Sequence, residues 1–358
     1  MPELRLEDFL CNEDISIVEA MQRISQNQHG ILFVVDEEKH LHGSLTDGDI
    51  RRWLVKTGDL KAKISKVMFK SPTYILESNS GKAREIMKRK TITALPVLSI
   101  DKTLTYILFA SEKSVINKKS SHNLKGVPVI IMAGGKGTRL YPYTKILPKP
   151  LIPIGDVPII ERIINSFCEY NVNNFYIPVN YKKGMIKSYF NDLAPDYSIT
   201  YIEEDKPLGT AGSLKLINRN FDCPVIVTNC DILIDADYAD IYKYHRESGN
   251  KLTIVSALKK ITVPYGVLNT GKNGVIKSME EKPSLSYFVN TGMYILEPDI
   301  LSRIPDDTFF HMTDLADLLM KNNQQVGMYP VSEEAFLDMG ELEEMSRMEE
   351  KLSIKEKR

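Results

Sequence analysis

The stretch Val129–Pro153, VIIMAGGKGTRLYPYTKILPKPLIP, decides the fold of this chain. Its apolar start, Val129–Met132, predicts a buried strand. A glycine-rich turn, Ala133–Arg139, follows that strand at once. Glycines let backbone N–H groups converge on an anion, and Arg139 and Lys149 add positive charge. The stretch therefore predicts a strand that ends in a phosphate-binding loop.

Two common phosphate-binding motifs do not fit this loop. A Walker A loop requires G-x-x-x-x-G-K-[ST], and no register of the segment provides it. A dinucleotide fingerprint requires G-x-G-x-x-G, but Leu140 stands where the third glycine would follow Gly135 and Gly137. The loop is thus a phosphate site of another kind, and the alternative is an ordinary glycine turn with surface charges.

Composition limits the function classes that need to be considered. The 358 residues include 43% hydrophobic and 26% charged residues, which is typical of a globular protein of about two domains. Lys+Arg number 46 and Asp+Glu number 47, so a general basic surface for nucleic acid is not expected. No apolar run reaches membrane-spanning length, and the N-terminus carries acids rather than a signal-peptide pattern, so we expect a cytoplasmic protein. The four cysteines show no C-x-x-C spacing, which predicts neither a zinc site nor a disulfide framework.

Residues 1–118 contain an internal repeat of about 60 residues. Helix, strand, turn, strand and helix patterns occupy Asp14–Lys56, and the order partly recurs over Ala83–Ala110. Such a repeat predicts an α+β module made of two related halves. The last helix of the second copy is short or lost.

The segments Phe33–Asp36 and Gly43–Ile50 resemble a CBS domain, and the repeat resembles a tandem CBS pair. The resemblance implies that Thr46 and Asp49 hold the phosphates and ribose of an adenine nucleotide, because a hydroxyl donates to phosphate and a carboxylate accepts from ribose. The second copy lacks these residues, so we treat it as degenerate and expect at most one ligand site. CBS pairs commonly associate, which implies a homo-oligomer. The alternative is a purely structural or dimerising module.

Strand and helix patterns alternate from Val127 onward, which predicts a largely parallel sheet covered by helices. Ser111–Lys125 is rich in Ser, Lys and Asn and contains the predicted linker. We therefore divide the chain into 1–118, a linker at 119–126, and 127–358 with a charged helix at its end. In such open α/β sheets, ligands bind at the carboxyl ends of the strands.

Two motifs lie at strand ends in the first half of the larger domain. Leu208–Ser213 follows a strand and opens a helix, so its N–H groups are expected to face a ligand. Asp231 follows the apolar strand Val225–Thr228, a position from which one carboxylate can hold a hard cation. The neighbouring Cys230 is expected to be a small buried thiol rather than a nucleophile.

Three further motifs occupy strand ends in the second half. Gly266 permits close approach of a ligand, Glu281 can accept hydrogen bonds, and Lys282 can hold an anionic group as a point charge. Asn290 can both donate to and accept from a hydroxyl group. Asp338 lies in an aromatic, x, Asp, x, Gly pattern. Taken singly, each motif has the alternative of a solvated charge or turn.

The histidines are not expected to take part in the chemistry. Six are present, and they form no convincing metal-ligand cluster. The segment after His311 predicts a helix entry with Thr313 as N-cap.

The order and spacing of these motifs over 127–340 resemble the sugar-1-phosphate nucleotidyltransferases, which have a Rossmann-like, glycosyltransferase-A-type fold. The resemblance implies Arg139, Lys149, Asp231 and Lys282 as catalytic residues, with Mg²⁺ held by Asp231 and Asp338. It implies that the nucleotide is bound by Ala133, Gly134, Gly135, Gly137, Thr138, Arg139, Lys149, Gly209, Thr210, Ala211 and Gly212. It also implies that the sugar phosphate is bound by Gly266, Glu281, Lys282 and Asn290.

A CBS pair ahead of such a domain most closely resembles the guanylyltransferases of bacterial surface-sugar synthesis, in particular the glucosamine-1-phosphate enzymes of legionaminic acid synthesis. That resemblance implies GTP and glucosamine 1-phosphate as substrates and pyrophosphate as a product. The residues themselves identify neither base nor sugar, so a mannose-1-phosphate guanylyltransferase and a glucose-1-phosphate thymidylyl- or cytidylyltransferase stay open. A catalytically silent nucleotide-sugar sensor is the alternative from another class.

Overall fold

The structure is a computed structural model that describes residues 5–27, 29–109, 123–340, 344–346 and 348–350. The chain divides into two compact units. The first comprises Met1–Lys119 and Leu258–Tyr287, and the second comprises Ser120–Ala257 and Phe288–Arg358. The predicted linker is described only from residue 123 onward, and most of the predicted tail helix lies outside the described residues.

The N-terminal part of the first unit consists of short helices and short strands. Its helices are α1 (Ile17–Asn27), α2 (Asp47–Thr57) and α3 (Ala83–Lys90). Its strands are β1 (Leu10–Cys11), β2 (Ile31–Val35), β3 (Leu41–Thr46), β4 (Ile75–Leu76), β5 (Ala94–Leu98) and β6 (Leu104–Phe109).

The remaining elements follow from residue 129 onward. The helices are α4 (Tyr143–Ile146), α5 (Ile159–Cys168), α6 (Lys183–Leu193), α7 (Gly209–Gly212), α8 (Tyr238–Ser248) and α9 (Met312–Lys321). The strands are β7 (Val129–Met132), β8 (Pro153–Ile154), β9 (Val157–Pro158), β10 (Asn174–Val179), β11 (Ser198–Glu203), β12 (Val225–Asn229), β13 (Ile232–Ile234), β14 (Leu252–Thr262), β15 (Val267–Thr270), β16 (Ile276–Glu280), β17 (Ser284–Leu296), β18 (Val326–Val331) and β19 (Phe336–Asp338). The hairpin of β15 and β16 belongs to the first unit.

The internal repeat is visible in the first unit. One sheet has the order β1-β2-β3 and another has the order β4-β5-β6, and in each a parallel pair is followed by an antiparallel pair. The two hairpin turns both contain a lysine in the left-handed region, Lys39 with φ 64° and Lys102 with φ 63°. The region after β6, where the last helix of the second copy is expected to be short or lost, lies outside the described residues.

The second unit is built on a seven-stranded sheet with the order β11-β10-β7-β12-β17-β14-β18. Strands β11, β10, β7 and β12 are parallel neighbours, whereas β17 pairs antiparallel with β12. At the other edge, β18 runs parallel to β14. The predicted α/β sheet with helical connections is therefore confirmed, and the antiparallel β17 makes it a mixed sheet.

The central strand β7 is buried on both faces, as its unbroken apolar sequence predicts. Val129 and Ile131 pack into one hydrophobic cluster, while Ile130 and Met132 pack into another. Alternate side chains of a strand point to opposite faces, so a strand covered on both sides must be apolar throughout. The helix α5 buries one apolar face, including Ile163 and Phe167, in the first of these clusters.

The described helices are too short or too polar to serve as a membrane span. Helix α9 begins at Met312, and His311 rather than Thr313 is its N-cap. The prediction for Thr313 is wrong because Asp314 returns its carboxylate to the His311 N–H, at 2.8 Å.

A buried histidine links α8 to the sheet of the second unit. His245 is 1% exposed, and its Nδ1 lies 2.8 Å from Thr253 Oγ1. Its Nε2 lies 3.5 Å from Glu297 Oε1. Burial, reinforced by the charge of Arg246, lowers the pKa of His245 from 6.5 to about 4. The folded protein therefore holds this imidazole neutral under conditions in which an unfolded chain would protonate it.

We expect His245 to make stability fall as the pH drops from 7 to 5. Below pH 6.5 the unfolded chain protonates this imidazole, whereas the folded chain keeps it neutral down to about pH 4. The free energy of unfolding should therefore fall by about 2 kcal/mol between pH 7 and pH 5. The His245→Gln variant removes the titration, and thermal unfolding at both pH values should show it losing less stability than the wild type. An equal loss in the two proteins would contradict the prediction.

Candidate active site

A pocket of 380 Å³ lies at the carboxyl ends of the parallel strands in the second unit. The lining residues predicted from the sequence are Gly134, Gly135, Gly137, Thr138, Arg139, Lys149, Gly209, Thr210 and Asp231. The lining residues that were not predicted are Met132, Leu140, Glu204, Pro207, Asn229, Cys230, Phe309 and His311. The structure thus brings together the glycine loop, two cationic side chains and a carboxylate.

Strand register explains why these residues meet. Met132, the last residue of β7, pairs with Asn229, the last residue of β12, in a parallel ladder. The glycine loop leaves one strand and Asp231 leaves the other at the same edge of the sheet. This is the edge at which ligands bind in open α/β folds.

Lys149 and Asp231 form the central ion pair of the pocket. The Lys149 ammonium contacts Asp231 Oδ2, and the two side chains are 12% and 13% exposed. Both residues were predicted to be catalytic, but the sequence did not predict that they would pair. The pair keeps a cation and a carboxylate largely withdrawn from water beside the glycine loop.

Asp338 lies on β19, beside the strand that follows Asp231. Ile232 pairs with Asp338, and Met339 N donates to Asp231 O at 2.8 Å. Burial raises the pKa of Asp338, and the negative charge of Asp231 adds to this effect, while Lys149 and Arg139 oppose it. The two predicted metal ligands are therefore electrostatically coupled.

The donor set of Asp231 and Asp338 fits Mg²⁺. Carboxylate oxygens are the ligands this ion prefers, and it is usually held by one or two of them together with substrate phosphates. Across the described ranges, no group of three or more His, Cys, Asp or Glu forms a complete metal cage. A bound cation would favour the ionised form of Asp338, whose pKa burial and the charge of Asp231 raise.

Glu204 is a buried carboxylate on the pocket wall. It follows β11 directly and is 6% exposed. Leu208 N donates to its Oε2 over 3.4 Å, which is a long hydrogen bond. Burial raises the pKa of Glu204. Gly134 makes room for it, because a Cβ at position 134 would lie 2.9 Å from Glu204 Oε1.

The segment Gly209–Gly212 faces another part of the chain as well as the pocket. Ala211 N and Gly212 N both donate to Phe310 O at 3.0 Å. Ala211 and Gly212 are buried and do not line the pocket, whereas Gly209 and Thr210 do. The expectation that these N–H groups face a ligand therefore does not describe Ala211 and Gly212. Ala133 is similarly buried, with its N–H donating to Pro178 O.

The residues predicted to bind the sugar phosphate have well-defined local surroundings. In the first unit, a Cβ at Gly266 would lie 3.0 Å from Glu281 Oε2, and Lys282 adopts a left-handed φ of 47°. In the second unit, Asn290 Nδ2 donates to Tyr294 OH at 2.8 Å and Asn290 Oδ1 accepts from Gly292 N at 2.9 Å. Both ends of the Asn290 amide therefore already have partners within the protein.

Cys230 is a buried thiol, as expected. It is 6% exposed, and burial next to Asp231 raises its pKa to about 12. A thiol needs to be deprotonated to act as a nucleophile, so this side chain is inert at neutral pH.

In the first unit, Thr46 and Asp49 are partners of each other. Thr46 Oγ1 donates to Asp49 Oδ2 at 2.6 Å, and Asp49 N donates to Thr46 Oγ1 at 3.2 Å. Thr46 N also donates to Asp49 Oδ2, which completes a capping box at the start of α2. Arg52 pairs with the other carboxylate oxygen.

Of the pocket residues that were not predicted, Glu204 could have been found from the sequence, whereas Phe309 could not. Glu204 stands one residue after a predicted strand, so the strand-end rule that selected Asp231 would have selected it too. Phe309 carried no such signal, because it lies in a segment of irregular structure about a hundred residues further along the chain.

Comparison with known proteins gives two family matches. The Nucleotidyl transferase family model matches residues 128–354, and the CBS domain model matches residues 7–56. A UTP–glucose-1-phosphate uridylyltransferase of Synechocystis is 36% identical over 195 residues, which are 49% of this chain and 50% of that protein. A mannose-1-phosphate guanyltransferase of Debaryomyces hansenii is 34% identical over 184 residues, 49% of this chain and 51% of that protein.

The chain spans about half the length of the curated relatives it matches. Among solved structures, HddC of Yersinia pseudotuberculosis matches with a TM-score of 0.50 at 26% identity. That match covers 63% of this chain and 99% of HddC. These similarities confirm the fold class predicted for the larger domain and a CBS domain at the N-terminus.

We expect Gly134→Ala to destabilise the protein and Gly135→Ala to leave its stability close to that of the wild type. The new Cβ at position 134 would press on the buried Glu204 carboxylate, whereas a Cβ at position 135 meets nothing within 4 Å. Displacing a packed buried group typically costs about 1–3 kcal/mol. Chemical denaturation of the two variants makes the comparison, and equal stability would show that Glu204 moves aside freely.

Proposed function

Because the chain belongs to the nucleotidyl transferase family, we propose that it transfers a nucleotidyl group from an NTP to a sugar 1-phosphate and releases pyrophosphate. The observation that carries the proposal is the single pocket that joins the glycine loop to Arg139, Lys149 and Asp231. Such a pocket offers N–H donors and cations to a triphosphate and a carboxylate to a divalent ion.

The chemistry requires positioning and charge stabilisation more than proton transfer. An oxygen of the sugar 1-phosphate attacks the α-phosphorus, a new P–O bond forms, and the bond to the pyrophosphate oxygen breaks. The nucleophile is already an anion, so no strong general base is needed. The barrier comes from bringing anions together and from charge on the leaving group, which fixed cations and dipoles lower.

Within the pocket, Arg139 and Lys149 are the residues that supply positive charge to the triphosphate and the leaving pyrophosphate. Asp231 holds the Lys149 ammonium in place, which limits the reorganisation needed when the nucleotide enters. Asp231 and Asp338 are the residues that we propose to hold Mg²⁺. When bound, that ion neutralises phosphate charge and polarises the phosphoryl oxygens.

The proposed sugar-phosphate residues rest on the family resemblance. Lys282 would hold the attacking phosphate as a point charge, and Glu281 and Gly266 would orient the sugar. Asn290 uses one N–H for Tyr294 OH and one lone pair of Oδ1 for Gly292 N, so its second N–H and its second lone pair could serve a sugar hydroxyl. Its support of the turn at Gly292 is the role that the contacts favour.

Glu204 supports guanine as the base. Guanine presents two adjacent donors, N1–H and the N2 amino group, on its pairing edge, and a carboxylate can accept from both. Uracil and thymine present a single ring N–H flanked by acceptors, which a carboxylate would repel. The relatives include both a uridylyltransferase and a guanyltransferase, so this buried carboxylate is the feature that favours GTP.

The choice of glucosamine 1-phosphate, and of a place in legionaminic acid synthesis, rests on the resemblance alone. Mannose 1-phosphate and glucose 1-phosphate are the alternatives, and they are the sugar phosphates in the names of the relatives. For the CBS domain, the capping box favours the structural alternative for Thr46 and Asp49. An adenine nucleotide there would have to compete with the hydrogen bonds these two residues already make.

We expect a screen of four NTPs against glucosamine, mannose and glucose 1-phosphates to show pyrophosphate release, with GTP and glucosamine 1-phosphate as the best pair.

The Asp231→Ala variant should lose orders of magnitude in kcat while remaining folded, because it loses the carboxylate that positions Lys149 and Mg²⁺.

Turnover with another pair of substrates would support the proposed reaction and contradict the proposed choice of GTP and glucosamine 1-phosphate. Nucleotide binding without turnover of any pair would favour the silent sensor instead. A near-normal kcat in Asp231→Ala, measured with Mg²⁺, would overturn the assignment of the metal ligand.

We expect Glu204→Gln to reduce the preference for GTP over UTP. The substitution places an amide N–H against the guanine donors, and losing a charged hydrogen bond of this kind lowers kcat/KM for GTP about 10- to 100-fold. The adjacent Glu203→Gln is the matched control, because Glu203 is paired at the surface with Lys183 and Lys187. A GTP:UTP ratio that is unchanged in Glu204→Gln would contradict base recognition by Glu204.

A further inference from the structure

The pocket has an aromatic wall that the chemistry above does not use. Phe309 and His311 both line it, and their ring centroids are 4.7 Å apart with an interplanar angle of 80°. Phe309 is 59% exposed and lines the pocket, so its ring is accessible to a ligand there. Phe310, between them, packs instead on the hydrophobic core of the second unit.

This alternation is imposed by the backbone. The segment from residue 308 to 311 has no regular secondary structure, but Phe310 is fixed at both its N–H and its carbonyl. Phe310 N donates to Leu208 O at 2.8 Å, and Phe310 O accepts from Ala211 N and Gly212 N. With Phe310 held inward, its two neighbours face the other side, as in any extended segment.

The glycines of α7 are what allow the wall to stand so close to the pocket. A Cβ at Gly209 would lie 2.6 Å from Phe310 O, and a Cβ at Gly212 would lie 2.7 Å from Thr308 O. Thr210 Oγ1 adds a further link by accepting from Met312 N at 3.0 Å. The wall is therefore a rigid, preformed surface rather than a loose loop.

We propose that Phe309 is a nucleobase-stacking residue, with His311 supporting its ring from the edge. The inference rests on the proposed function, since it requires a nucleotide in this pocket. An exposed, rigidly held aromatic face is suited to the flat side of a base, which every base possesses. Glu204 on the same pocket would then recognise the edge of the base, while Phe309 binds its face irrespective of identity.

The test is equilibrium binding of GTP, UTP and pyrophosphate, by calorimetry with Mg²⁺ and no sugar phosphate, to the full chain. Phe309→Ala should weaken the binding of GTP and of UTP by the same factor, about tenfold, and leave the binding of pyrophosphate unchanged. Phe309→Tyr, which keeps the aromatic face, should bind like the wild type. Phe69→Ala is the matched control, because Phe69 is a phenylalanine of similar exposure, 56%, in the first unit.

A spectroscopic variant separates stacking from a structural effect. The chain has a single tryptophan, so the emission of Phe309→Trp minus that of the wild type reports on position 309. GTP and UTP should quench this difference signal, and pyrophosphate should not.

The outcomes distinguish the two proposals. A wild type that binds no NTP overturns the proposed function. A wild type that binds NTP with the same affinity as Phe309→Ala overturns stacking alone. A variant that loses pyrophosphate affinity to the same extent as GTP affinity shows damage to the phosphate loop, and that result also overturns stacking.

Discussion

The parallel pairing of β7 with β12 is the constraint on which the candidate site depends. The two strands end in register, so the glycine loop and Asp231 leave the sheet at one edge although they are about a hundred residues apart in sequence. Burial of β7 on both faces keeps that edge in place, because its alternate side chains are anchored in two hydrophobic clusters. The strand before it thus fixes where the glycine loop begins. Its positions are determined by the strand before it and by the contacts its glycines permit.

Gly134, Gly209 and Gly212 permit close approach of other groups, and Gly209 also adopts a left-handed φ of 78°. Gly134 admits the buried carboxylate of Glu204, and Gly209 and Gly212 admit the backbone of the segment around Phe310. The two halves of the Gly-Thr-Ala-Gly motif therefore have different contacts. Gly209 and Thr210 line the pocket, while the next two N–H groups donate to Phe310 O in the segment that carries Phe309. A glycine-rich motif at a helix start is compatible with either role, and only the tertiary contacts distinguish them.

The charges of the pocket are arranged as partners that a ligand can replace. Lys149 and Asp231 neutralise each other while largely withdrawn from water, and Asp338 is close enough for both to act on its pKa. Glu204, at another part of the lining, is desolvated, and burial raises its pKa although Leu208 and Ser213 act in the opposite direction. A triphosphate would pair with Arg139 and Lys149, and a divalent cation would neutralise the two coupled carboxylates, as the proposed nucleotidyl transfer requires.

The sequence by itself determined the α/β class, the buried strand β7, the glycine loop that follows it and the CBS domain, because these depend on local apolar runs, glycine spacing and motif order. It also singled out Arg139 and Lys149 by their charge near the glycine loop and Asp231 by its position at a strand end, and all three line one pocket. The sequence did not predict the capping box of Thr46 and Asp49, because a Thr-x-x-Asp pattern is compatible with both a ligand site and a helix cap. Only the tertiary structure decided that Lys149 pairs with Asp231, that Glu204 is buried against Gly134, and that Phe309 stands over the pocket. Those features depend on contacts between residues up to about a hundred positions apart, and local pattern does not record which distant groups the packing of the sheet brings together.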